Sequence, residues 1–220
     1  MKRIFILVAV TCLLSILSCV QREISDVEET SIYHNVFDSL FEERYFNFCL
    51  KSDELVDSFN IGEIDSLRFV KKLQQLKLNR LKEVNKCVVH YSTEFRRNLD
   101  YIRLIPKELL LNSSFFKDNF ELEQLEGVLD SLRSPANLPI NDIESTYAKI
   151  DKINNDGQRG AENGIGTISF SRLSLNDSNT KAILYYEFVC GPGCGDGAIL
   201  FISKDVTRWK IVKRIMLWNI

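Results

Sequence analysis

From residue 37 onward the apolar positions recur at steps of three and four. Phe37, Leu40, Phe41, Tyr45 and Phe48 are separated by Asp38, Glu42, Glu43 and Arg44, which predicts a helix with one aromatic face. A longer stripe runs from about Ile64 to Val88 through Leu67, Val70, Leu73, Leu76 or Leu78, Leu81, Val84 and Val88. Lys71, Lys72, Lys77, Arg80 and Lys82 form its wet side. Asn60-Ile61-Gly62 breaks the chain before this helix, and Asp65 or Ser66 favours its N-terminus. Pro106 and Asn112-Ser113-Ser114 interrupt the pattern. Leu122, Leu125, Leu129 and Leu132 mark a third helix that stops before Ser134-Pro135, and Ile143, Tyr147 and Ile150 suggest a short fourth.

Near residue 150 the period changes to two. Asn154 to Gly157 and Gly160 to Gly166 are loop chemistry. Thr167–Leu175, Ala182–Cys190, Gly197–Ser203 and Trp209–Trp218 then read as four strands. Their connections are short, and short connections join antiparallel neighbours. The expected fold is α+β, with N-terminal helices (33–150) on one face of a C-terminal four-stranded antiparallel meander (151–220), the two forming one domain. In the second strand Leu184, Tyr186 and Phe188 share one side, with Tyr185 and Glu187 on the other. Glu187 is expected to face solvent on the open side of the sheet.

Ahead of this lies a segment of different character. Lys2 and Arg3 precede the uncharged apolar run Ile4–Leu17, which is shorter than the ~20 residues needed to span a bilayer. Residues 1–18 therefore read as a signal peptide. Ile16-Leu17-Ser18-Cys19 resembles a bacterial lipobox, with Leu17 bulkier than the usual occupant of its position. That resemblance implies a lipid on the Cys19 thiol, a polar tether over 19–32, and attachment to a membrane of the cell envelope. Ordinary secretion with an incidental Cys19 is the alternative.

Composition narrows the rest. An apolar share of 45% with fourteen Phe is enough for a packed core and excludes a disordered tether. The net charge is −2, and losing Lys2 and Arg3 would make the mature chain more acidic. With no Lys/Arg-rich block, neither nucleic acid nor a polybasic membrane contact is expected as the main business of the chain. Of six cysteines, Cys12 falls in the leader and Cys19 is assigned to lipid. Cys49, Cys87, Cys190 and Cys194 remain, and in an oxidising compartment they could pair in three ways. Proximity favours Cys190–Cys194, leaving Cys49–Cys87 between two helical segments; two free buried thiols are the alternative for that second pair.

Cys190-Gly191-Pro192-Gly193-Cys194-Gly195-Asp196-Gly197 is the most distinctive local feature, a glycine-rich turn whose register a bridge would fix. From Ser169 to Trp218 the chain resembles the C-terminal part of a group of uncharacterised exported proteins, mostly from Bacteroidetes-type bacteria. The shared features are Ser171-Arg172, the turn Asn176–Thr180, the C-G-x-x-C-G hairpin Cys190–Gly195, the W-K-[IV]-V-K strand Trp209–Lys213, and Trp218. Thr207-Arg208 stands where that group usually carries Gly-Lys. The resemblance implies export and fixes no function.

No nucleotide, metalloprotease or nucleophile-elbow motif is present, and no catalytic residue, metal or cofactor is expected. His34 and His90 fall on helical segments far from any serine or cysteine motif, as ordinary hydrogen-bonded histidines would. Asn154, Asp156 and Gly157 echo a calcium loop. Lys152 and Asn163 occupy the positions of essential carboxylates, so that site is rejected. Trp209 and Trp218 read as core or sheet-edge aromatics. The first reading is therefore a non-enzymatic envelope lipoprotein with a structural or binding role, its protein or small-molecule ligand unspecified. One rival is an enzyme with Glu187, Arg172 or Tyr185 in a pocket between sheet and helices. The other is a thiol–disulfide protein using Cys190 and Cys194.

Overall fold

The aromatic stripe predicted from Phe37 begins earlier. Ile32 and Tyr33 continue it at helical spacing with Val36, Phe37 and Leu40, and all five are buried. They lie on α1 (Asp26–Leu40), which widens into a π-turn over Phe41–Tyr45. The computed structural model describes residues 26–45, 53–82, 87–95, 105, 107–138, 145–152 and 164–220. The tether expected over 19–32 is thus helical from Asp26. Its polar residues are the outer face of an amphipathic helix rather than loop.

The break at Asn60-Ile61-Gly62 is a turn between α2 (Asp53–Asn60) and α3 (Ser66–Leu81), with Gly62 at φ 79°. Asp65 caps α3, its Oδ1 accepting from the Arg68 amide at 2.8 Å. The helix expected to reach Val88 stops at Leu81, because Val88–Tyr91 is strand β1. Two β-branched residues at 88 and 89 suit a pleated surface, and Val88 fits the helical stripe only by coincidence of spacing. The short helix expected around Tyr147 and Ile150 is also absent. Lys149–Lys152 is strand β2, and Ile143 lies outside the described residues. The helix expected over 122–132 is present as a 3₁₀ turn (Leu122–Gln124) running into a helix over Leu125–Arg133.

Among the described residues the sheet has seven strands: β1, β2, β3 (Gly164–Phe170), β4 (Ser174–Leu175), β5 (Lys181–Gly191), β6 (Cys194–Asp205) and β7 (Arg208–Asn219). Their order is β2-β1-β3-β5-β6-β7, with β4 also on β5. The meander β5-β6-β7 is antiparallel as expected, while β1 runs parallel to both β2 and β3. The fold is α+β with a mixed sheet larger than the four strands expected. Two strands of only four residues are too short for alternation to stand out from helical spacing.

β3 and β4 form one interrupted partner of β5. At the break, the Tyr185 amide donates to Ser171 Oγ and the Ser171 amide to the Tyr185 carbonyl, both at 2.8 Å. A bridge from Pro135 to Ser171 and the bond from the Ala136 amide to the Phe170 carbonyl lay residues 134–136 along the opening. The turn expected at 176–180 is held by Asn176, whose Oδ1 accepts from the Thr180 and Lys181 amides at 3.0 and 2.9 Å.

Helices cover both faces of the sheet, not one. On the first face Tyr33, Phe37 and Phe41 pack over Phe170, Leu184, Tyr186 and Leu200. On the second, α4 (Lys107–Leu111), α5 (Ser114–Asn119) and α6 (Leu125–Arg133) bring Leu110, Phe116, Leu129 and Leu132 onto Ile183, Tyr185, Ile199 and Phe201. Each large apolar side chain so buried stabilises by about 1.5–3 kcal/mol before entropy is counted. Residues 182–188 of β5 are all buried, which is the pattern of a strand covered on both sides. No described helix is long and apolar enough to cross a membrane.

Candidate functional site

Asp196 lies at the hairpin end of β6, in phase with Ala198, Leu200 and Ile202, so its side chain enters the first-face core; it is 3% exposed. The π-turn at the end of α1 carries Arg44 and Tyr45 over it. Tyr45 donates its hydroxyl to Asp196 Oδ1. Tyr186, from the neighbouring strand, donates to Oδ2 at 2.9 Å, and Arg44 Nη2 pairs with the same oxygen at 2.9 Å. Both carboxylate oxygens are therefore engaged by charged or hydroxyl donors, the arrangement that makes a buried acid tolerable.

Burial, and then the neighbouring Tyr186 and Asp196, push the Tyr45 hydroxyl far above the ordinary tyrosine range. Burial and Asp196 push Tyr186 up to about 12. Both phenols stay protonated near neutrality, and they act as donors to the acid rather than as bases.

The predicted bridge is present beside this cluster. Cys190 and Cys194 are disulfide-bonded, with Cα atoms 5.2 Å apart, across a turn in which Gly193 takes φ 74°. The Ile220 amide donates to the Gly195 carbonyl at 2.9 Å, tying the last residue to the hairpin. Between the bridge, Arg44, Tyr45, Phe188 and Asn219 lies a hollow of about 210 Å³. A second, larger hollow of about 840 Å³ opens between the first turns of α1 and residues 135–138, with His34 and Arg172 on its wall.

Glu187 corrects the expectation of a solvent-facing carboxylate. It is 1% exposed, because the second face of the sheet is covered by α4–α6. Tyr185 donates to Glu187 Oε2 at 3.4 Å and accepts from the Trp218 indole at 2.9 Å. Burial and then Glu187 push the Tyr185 hydroxyl well above its ordinary range. Gly197 sits opposite Glu187, and a Cβ there would meet the Tyr185 hydroxyl at 2.5 Å and the Trp218 ring.

The other singled-out residues are dispersed. His34 pairs with Asp38 at 3.4 Å on α1, whereas His90 stands on β1 rather than on a helix. Arg172 is exposed on the larger hollow, remote in register from Glu187. Trp209 is core, with Lys204 Nζ 5.5 Å from its ring centre, and Trp218 is half-buried. Cys87 is fully buried and disulfide-bonded, while its expected partner Cys49 lies outside the described residues, as do Cys19 and the rejected calcium loop at 154–163. Among the described residues no group of three or more His, Cys, Asp or Glu could hold a metal ion.

Asp196, Tyr45 and Arg44 form a unit that the sequence pattern alone does not bring together. One signal was available: Asp196 keeps the inward phase of a strand whose next inward residues are all apolar. No family model, curated protein or solved structure matches the chain.

Proposed function

We propose that this chain is an envelope lipoprotein, held to a membrane through a lipid on Cys19, whose folded part has a binding or structural role rather than a catalytic one. The leader, the apolar run and Ile16-Leu17-Ser18-Cys19 support the anchor. The observation that carries the non-catalytic role is the engagement of Asp196. Its two oxygens are occupied by Tyr45, Tyr186 and Arg44, within a network that stabilises the hairpin end of the sheet. Of the residues of the enzymatic alternative, Tyr185 and Glu187 meet by a hydrogen bond, whereas Arg172 stands apart from both. Arg172 borders one hollow, and neither described hollow is lined by Glu187 or Tyr185.

Intact mass spectrometry of the protein from its host tests the anchor directly. A diacyl or triacyl mass on a chain beginning at Cys19, together with release of a Cys19→Ala variant from the membrane fraction, is the expected result. An unlipidated mature chain in the soluble fraction would remove the proposal.

A further inference from the structure

α3 carries an unusual charge distribution for this chain. Between Ser66 and Leu81 stand Arg68, Lys71, Lys72, Lys77 and Arg80, with no Asp or Glu, although the whole protein is net −2. One side of the helix faces the core through Leu73 and Leu76, and Leu81 packs on the same core at the helix end. Another side is open and largely apolar. Leu67, Val70 and Leu78 fall on one stripe around the exposed Gln74, and the first and last are 64% and 57% exposed. Ile61, in the turn joining α2 to α3, is a further exposed apolar residue, 70% exposed at the tip of the same hairpin.

At 3.6 residues per turn, Lys71 lies to one side of the stripe and Lys77 to the other. Neither has an acidic partner among the described residues. An exposed apolar stripe flanked by lysines is the pattern of a helix that lies in a membrane interface. The leucines enter the acyl boundary, and the lysine stems follow while their ammonium groups meet phosphate. A protein groove would take the leucines equally well, but it gives no reason for Lys71 and Lys77 on the two flanks of the stripe; Arg68, by contrast, is paired with Asp65 at the helix cap.

We propose that the α2–α3 hairpin is a second membrane contact, docking through Ile61, Leu67, Val70 and Leu78 on an anionic lipid surface. The inference rests on the lipid anchor at Cys19, which would keep the hairpin near that surface. Anchor and hairpin together form the two-signal attachment that a firmly held peripheral protein uses.

The test uses the full chain, purified in its native processed form and reconstituted into vesicles whose acyl chains carry bromine. Leu67→Trp and Leu78→Trp report on the hairpin. Leu122→Trp is the control, since Leu122 is also 64% exposed but belongs to the 3₁₀ turn beside α6, in the helical layer of the opposite face. In vesicles containing phosphatidylglycerol, bromine should quench Trp at 67 and 78 and leave Trp at 122 near the level of the unsubstituted protein. Lys71→Glu with Lys72→Glu, or high salt, should lower the docked fraction by about tenfold or more, since each basic residue contributes roughly fivefold. Equal quenching at all three positions on a protein whose Cys19 lipid is confirmed by mass overturns the hairpin contact and leaves the anchor standing. Absence of the Cys19 lipid overturns both. Unquenched, blue-shifted emission at 67 and 78 with cross-linking of two chains assigns the face to a second copy, and this too overturns the lipid contact.

Discussion

Tyr186 reaches Asp196 diagonally across the β5–β6 ladder, hydroxyl to carboxylate at 2.9 Å, with Tyr45 and Arg44 closing over the same acid from the π-turn that ends α1. The contact joins the helix layer to the sheet at the end where the hairpin turns. Asp196→Ala removes the shared acceptor and strands two buried phenols and a cation, so it should cost roughly 2–4 kcal/mol in urea unfolding. Tyr45→Phe and Tyr186→Phe each remove one donor and should cost about 1 kcal/mol. A network of this kind predicts non-additivity: each Tyr→Phe change should cost much less in the Asp196→Ala background. Additive losses would show that the hydroxyls stabilise through other contacts.

How far this was legible depends on strand length and on layers. β5, β6 and β7 run for 11 or 12 residues each, long enough for alternation to assert itself. β1 and β2 have four residues each, and Val88 and Ile150 also fit helical spacing, so the parallel edge of the sheet was hidden. Glu187 was misplaced for a different reason. Alternation gave its side of the sheet correctly, but only the tertiary fold shows that α4–α6 cover that side. The unbroken apolar run around it was the sign of two-sided burial. Of the candidate site, the cysteine bridge was readable from spacing. The Asp196 cluster was not, because Arg44 and Tyr45 lie about 150 residues away and meet the acid only through the π-turn.

Two glycines should respond in opposite directions to alanine. A methyl at Gly197 would collide with the Tyr185 hydroxyl and the Trp218 indole, which are held together by a hydrogen bond. Gly197→Ala should cost about 2 kcal/mol or more and shift tryptophan emission. Gly127, by contrast, lies on the exposed side of α6 with nothing within 4 Å of the added carbon. Gly127→Ala should stabilise by about 0.5–1 kcal/mol, because alanine is the better helix former. Thermal melts of the two variants decide both signs.

The Cys190–Cys194 bridge closes a loop with only three residues between its ends, so its entropic worth is below the ~3 kcal/mol of a fifteen-residue loop. Cys190→Ser with Cys194→Ser should lower global stability by about 1–2 kcal/mol. Amide exchange should rise most at Gly195, Asp196 and Ile220, where the hairpin tip is tied to the chain end. A structural bridge also predicts a reduction potential below about −300 mV. A value near those of thiol–disulfide catalysts would bring the redox reading forward.

The buried phenols set the behaviour at high pH. Burial holds Tyr186 and Tyr91 protonated up to about 12, and it pushes Tyr33, Tyr45 and Tyr185 well above the ordinary tyrosine range. In the unfolded chain each would ionise near 10. Above that point the unfolded state binds fewer protons than the folded one, so stability falls as pH rises. The contribution is whole below about pH 10 and is lost progressively between about 10 and 12 and beyond, at roughly 1.4 kcal/mol per unit for each phenol. Absorbance at 295 nm should show these tyrosines ionising together with the loss of native circular dichroism, as one cooperative step. Tyr186→Phe keeps the ring and removes the titrating hydroxyl, so the alkaline slope should become shallower by one phenol's share even though the variant is less stable at neutral pH. An unchanged slope would mean that Tyr186 is reached by solvent before the fold opens.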